Sequence, residues 1–106
     1  VDKLRGMLGL AAKAGALTSG TNNVLTAVKS GKAKIILLAA DASANTAKVV
    51  GDKSAFRHVR LCRLSLTMSE LGSAVGKGEC AAVAILTDDF ASFYDRVADT
   101  TILGGN

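Results

Sequence analysis

The 106-residue chain has the length of one domain, and 49% of it is apolar, supplied mainly by Ala, Val, Leu and Ile, with three Phe, one Tyr and no Trp. That composition closes an aliphatic core of helices on a sheet without outside help and argues against exposed base-stacking platforms. The net charge of +4 is unevenly spread, with 11 Lys/Arg against 3 Asp/Glu up to Arg63 and 2 against 6 beyond it, so a basic part suited to phosphate precedes an acidic part suited to solvation or a second partner.

Leu4, Met7, Leu8, Ala11 and Ala12 follow helical spacing, which predicts a first helix over about 2–14, stopped by Gly15. After a short connection at Ala16 to Ser19, Val24, Ala27 and Val28 mark a second helix, capped by Ser19 or Thr21 and ending near Ser30-Gly31. The unbroken apolar run Ile35 to Ala40 is the pattern of a central strand covered on both faces. Ser43 caps a third helix to about Phe56, and Val59 to Leu64 forms a partly exposed strand that carries Arg60 and Arg63. Thr67 and Glu70 have capping-box spacing, with Leu66 and Leu71 placed as a hydrophobic staple, so a fourth helix begins there and ends at Gly76. Cys80 to Leu86 is a second buried strand, whose Val83 is expected beside Leu37, and Thr87-Asp88-Asp89 opens a last helix with Phe90, Phe93 and Val97 on one face.

Strands alternating with helices predict a three-layer α/β/α sandwich with a four-stranded mixed sheet, three of whose strands are placed by the apolar runs above. No repeat, low-complexity tract or linker divides the chain, so the expectation is one domain over 1–98 and a flexible tail over 99–106. The absence of a transmembrane-length apolar run or secretory leader, with Cys62 and Cys80 inside apolar stretches as buried free thiols, fits a reducing cytoplasm.

Chemistry-bearing motifs are sparse. One histidine, His58, and two cysteines assemble neither a catalytic triad nor a closed zinc site, and Asp88-Asp89 reads as a pair of helix-start acids rather than metal ligands. Gly72, Gly76 and Gly78 lack the ending of a nucleotide-phosphate loop. Gly20-Thr21-Asn22-Asn23 differs, because glycine admits close backbone approach and the following helix start offers unpaired N–H groups beside amides that both donate and accept. Lys29, Lys32 and Lys34 follow as candidate phosphate contacts.

Gly20-Thr21-Asn22-Asn23, Ser30-Gly31-Lys32-Ala33-Lys34, the strand Ile35 to Ala40, and Glu70-Leu71-Gly72 with Val75-Gly76-Lys77 together resemble the ribosomal kink-turn RNA-binding family that includes large-subunit proteins seven-Ae and thirty-e. The bacterial YlxQ-like branch is closer, through Leu8-Gly9-Leu10-Ala11, Ala14-Gly15, Asp41 to Thr46 and Thr87-Asp88-Asp89-Phe90-Ala91. The resemblance implies an α/β/α sandwich whose second-helix start enters the major groove of a kinked RNA at sheared G·A pairs. It carries close backbone approach and a guanine-edge contact to Gly20, Thr21 and Asn22. Asn23 stands where the family often has a carboxylate and Thr26 where it often has a lysine. The loop Gly76-Lys77-Gly78-Glu79 matches one that packs against a flipped-out nucleotide, and its polar character here favours a phosphate contact by Lys77.

The resulting expectation is a noncatalytic, cytoplasmic binder of structured RNA associated with the ribosome or translation factors, needing no cofactor, membrane or small-molecule substrate. Asn22, Asn23 and Thr26 would meet base edges, and Lys29, Lys32, Lys34 and Lys77 phosphates. The alternative is a protein-protein adaptor on the same fold that has lost kink-turn affinity, which the residues at Asn23 and Thr26 permit.

Overall fold

In this computed structural model the backbone is described for residues 2–105 and side chains for residues 3–98; the tail expected over 99–106 falls outside the described side chains. The elements are α1 (Asp2–Lys13), β1 (Leu17–Ser19), α2 (Thr21–Lys29), β2 (Ile35–Leu38), α3 (Ala44–Phe56), β3 (Arg60–Arg63), α4 (Met68–Val75), β4 (Ala82–Ile85) and α5 (Asp88–Gly105). The sheet order is β1-β4-β2-β3, with β2 and β3 parallel and the other two pairings antiparallel, which makes the four-stranded mixed sheet of a three-layer sandwich.

Alternation along the two central strands divides the core. Ile35 and Leu37 of β2 and Val83 and Ile85 of β4 face α1, α4 and α5, whereas Ile36, Leu38, Ala82 and Ala84 face α2 and α3. Leu37 and Val83 are paired in register and both are fully buried, as continuous apolar runs covered on two faces require. The alanines of β4 let α2 lie close to the sheet on one side, while the larger residues fill the space under three helices on the other.

The connection expected at Ala16 to Ser19 is instead largely strand β1, whose Leu17, Thr18 and Ser19 pair with Ile85, Ala84 and Val83. Three half-buried residues at a sheet edge carry no readable alternation, and their strand character comes from the ladder offered by β4. Cys80 is buried as expected, its thiol donating to the Ala82 carbonyl at 3.1 Å, but Cys62 is only half-buried because β3 is the other edge strand.

Helix α4 forms as its spacing predicts. The Thr67 hydroxyl accepts from the Glu70 N–H at 3.1 Å, Glu70 Oε1 accepts from the Thr67 N–H at 2.9 Å, and Leu66 and Leu71 are both buried. Arg5 of α1 joins the box through a 2.8 Å ion pair to Glu70. The Thr67 amide, helped by the Arg5 charge, holds the Glu70 carboxyl below its ordinary value of 4.5. Two residues farther along, Gly72 has no room for a side chain: a Cβ there would lie 2.7 Å from the Gly78 carbonyl oxygen and 2.8 Å from Glu79 Cα. The missing Cβ is what lets the 76–79 loop fold back on α4.

Helices α1, α2 and α4 each end on a left-handed glycine, Gly15, Gly31 and Gly76. Helix α3 ends in the same hydrogen-bonded turn, with Val59 N–H to the Ser54 carbonyl at 2.8 Å and His58 N–H to that of Ala55 at 3.2 Å, yet the left-handed residue is His58, at φ 58°. A side chain in that conformation is strained. His58→Gly should therefore raise the free energy of unfolding by about 0.5–1 kcal/mol, net of glycine's greater freedom in the unfolded chain, as read from urea melts. Gly72→Ala should do the opposite, costing about 1–3 kcal/mol because its methyl meets backbone that must move. For Glu70 the sign follows from a lowered folded pKa: its contribution is present above the carboxyl's ordinary value of 4.5 and is lost as pH falls through the depressed one. Acid melts of Glu70→Gln should show a shallower loss of stability below that pH than wild type.

Candidate nucleic-acid interface

The start of α2 is held by backbone rather than by a capping side chain. Gly20 occupies the N-cap position at φ 96° and ψ 143°, and no side chain caps the helix, in place of the Ser19 or Thr21 cap expected from composition. Thr21 is already the first helical residue, and Ser19 is committed to the β1 ladder. The Gly20 N–H instead donates to the Ala82 carbonyl at 3.0 Å, and its own carbonyl accepts from the Val24 N–H at 2.9 Å. Space does not demand glycine here, since the nearest atom to an added Cβ is 3.9 Å away; the positive φ does. The first-turn N–H groups of α2 thus face outward with the positive end of the helix dipole and with no acidic residue in the first turn to neutralise it.

Asn22 and Asn23 stand on that exposed first turn. Asn23 Nδ2 donates to the Ser19 carbonyl at 2.9 Å, which fixes the amide and leaves Oδ1 as the acceptor. The Asn22 side chain makes no hydrogen bond among the described residues, while its carbonyl accepts from the Thr26 hydroxyl at 3.0 Å. Thr26 is therefore tied back to its own helix, one turn below the asparagines.

The loop after α4 comes to the same place. β4 begins where β1 ends, so Lys77 and Glu79 stand across from Ser19, Gly20 and Asn23 around a cleft of about 470 Å³. Gly76 and Gly78 shape that loop, the first as the left-handed end of α4 and the second as the carbonyl seated on Gly72. Of the residues singled out in the sequence, Gly20, Thr21, Asn22, Asn23 and the 76–79 segment are brought together at one end of the sheet.

Three of the four candidate lysines are not. Helix α2 has nine residues, about 13 Å at 1.5 Å per residue, so Lys29, Lys32 and Lys34 sit toward the opposite end of the sheet, where β2 begins. Lys34 pairs with Asp88 at the start of α5 at 3.7 Å. Lys32 remains connected to the α2 start by a groove along the β1 edge, lined by Thr18, Asn23, Thr26, Ser30 and Lys32. Thr18 and Ser19 also line the cleft, at half-buried positions that no sequence motif marks because they depend on β1 being a strand.

Comparison with known proteins matches residues 2–93 to the model of the ribosomal protein L7Ae/L30e/S12e/Gadd45 family. The chain is 36% identical over 86 residues to the RNA-binding protein YlxQ of Bacillus subtilis (strain 168), spanning 81% of this chain and 85% of that protein. It is 37% identical over 76 residues to the RNA-binding protein YlxQ of Enterococcus faecium, spanning 72% and 73% of the two chains. Among solved structures, a protein of unknown function from Bacillus halodurans C superposes with a TM-score of 0.78 at 29% identity, covering 87% of this chain and 96% of that one. The Giardia lamblia 15.5kD RNA binding protein shares the fold, with a TM-score of 0.73 at 20% identity over 92% of this chain and 83% of that one. With a family model spanning nearly the whole domain and relatives above one third identity, this chain belongs to the ribosomal protein L7Ae/L30e/S12e/Gadd45 family.

Proposed function

We propose that the chain is a noncatalytic binder of structured RNA of the kink-turn type, working in the cytoplasm in association with the ribosome or the translation machinery. The observation that carries this reading is the uncapped start of α2, where outward N–H groups, the unbonded Asn22 amide and the Asn23 acceptor stand beside a cleft bordered by Lys77. Such an end accepts an anion or the polar edge of a base pair, and the L7Ae-type family membership and the names of the YlxQ relatives support RNA as its ligand. Asn22 reads the base edge, Asn23 accepts from it, and Lys77 and Lys32 meet phosphates at the two ends of the β1 groove. A noncatalytic role accords with the placement of His58, which stands exposed at the end of the sheet away from the cleft. The tie between Thr26 and Asn22 favours the rival reading of a protein adaptor, because it withdraws one side chain from the base-contacting face.

One titration separates the two. Wild type, Asn22→Ala and Lys32→Ala are measured against a kink-turn RNA and a plain duplex at several salt concentrations. Asn22→Ala should lose about 1–3 kcal/mol of binding to the kink-turn and with it the preference over duplex. Lys32→Ala should weaken both complexes and flatten the salt dependence, since one phosphate contact and its released counterion disappear. A wild-type protein without kink-turn preference, or an Asn22→Ala variant that keeps all of it, gives the adaptor reading the lead.

A further inference from the structure

Helices α2 and α3 both run from the cleft end of the sheet to the other end, and β2 and β3 then start side by side with Ile35 opposite Arg60. The turn after α2 and the turn after α3 are therefore neighbours, far from the Asn22 cleft. On the α3 turn stands Phe56, 76% exposed, the most exposed large apolar side chain among the described residues. The Arg57 guanidinium lies over its ring, 5.9 Å from the centroid. Val49, Asp52, Lys53 and Phe56 line an open groove of about 420 Å³ on the same face of α3. The Val59 and His58 amides close the turn on the Ser54 and Ala55 carbonyls.

The charges around Phe56 say what covers it. Asp52 is taken by Lys48 at 3.4 Å, and Asp95 by Arg60 at 2.6 Å. Lys53, Arg57 and, from the neighbouring α2 end, Lys29 have no carboxylate within 4.0 Å among the described residues. An exposed aromatic ring with a guanidinium over one face and surplus cations around it matches a polymer that alternates flat bases with phosphates. A duplex keeps its bases stacked on one another and does not offer them to a ring, so the match is to a single strand.

We propose that this end of the sheet is a second RNA contact, in which an unpaired base of single-stranded RNA stacks on Phe56 beside Arg57 while Lys29 and Lys53 meet the adjoining phosphates. The surface is independent of the kink-turn reading, since it shares no residue with the cleft. Its probe is a labelled oligouridine, titrated in parallel with a kink-turn RNA that has no unpaired overhang. Phe56→Ala should weaken oligouridine binding about 5- to 150-fold, the loss of one base–aromatic stack, whereas Phe56→Tyr should retain it. Both variants should bind the kink-turn as wild type does, and Asn22→Ala should bind oligouridine as wild type does. Phe56-dependent oligouridine binding by a protein with no kink-turn affinity would uphold this surface and remove the other reading. The proposal is overturned if wild type does not bind oligouridine, or if Phe56→Ala binds it equally well. It is also overturned if Phe56→Ala turns a dimer into a monomer in sedimentation with oligouridine affinity unchanged, because a second copy of the chain then covers the ring.

Discussion

The hydrogen bond from the Gly20 N–H to the Ala82 carbonyl ties the beginning of α2 to the first residue of the central strand β4. Everything around the cleft depends on that join. Upstream of Ala82 is the 76–79 loop, seated on Gly72; downstream of Gly20 is α2, whose buried Val24, Ala27 and Val28 share a core cluster with Ala82 and Ala84. The bond is available only because Gly20 adopts a conformation that directs its N–H along the β1 ladder and its carbonyl into the helix. A residue that ends a strand and caps a helix in one step leaves no side chain to cover the first-turn amides, so the open helix end is a consequence of the fold's tightest connection.

Local signals were legible in the sequence and relayed ones were not. The Thr67 and Glu70 box, the Ser43 cap and the two buried strands were readable because each is decided by residues a few positions apart. Strand β1 was unreadable, as its three residues acquire their structure from β4, more than sixty positions later. The α2 cap obeys the same logic, since Ser19 has the side chain of a cap but the ladder claims it. Within the candidate interface, Gly20 to Asn23 and Gly76 to Glu79 stand out by their motifs, and the two segments lie on either side of one cleft. Lys29, Lys32 and Lys34 were grouped with them because they are close in sequence, whereas a helix of nine residues carries them away in space. Scarcity of aromatic residues does not decide where each one goes, and one Phe is left almost bare.

The charge asymmetry resolves differently in three dimensions. The acidic part of the chain does not form a face of its own; it answers the basic part at fixed points, Glu70 on Arg5, Asp88 on Lys34 and Asp95 on Arg60. Each of these pairs is substantially exposed and adds little to stability, so its effect is on where positive charge remains. All three acids come from α4 or α5, on the side of the sheet that holds α1. The opposite layer, α2 and α3, contains only Asp52 as an acid, and Lys48 occupies it. With Asp52 occupied, Lys29, Lys53 and Arg57 on the α2/α3 layer have no carboxylate within 4.0 Å among the described residues. Together with Lys32 and the dipole at the start of α2, they give that layer a positive field at both of its ends. Such a field would attract a phosphate polymer to the whole layer, whatever its sequence.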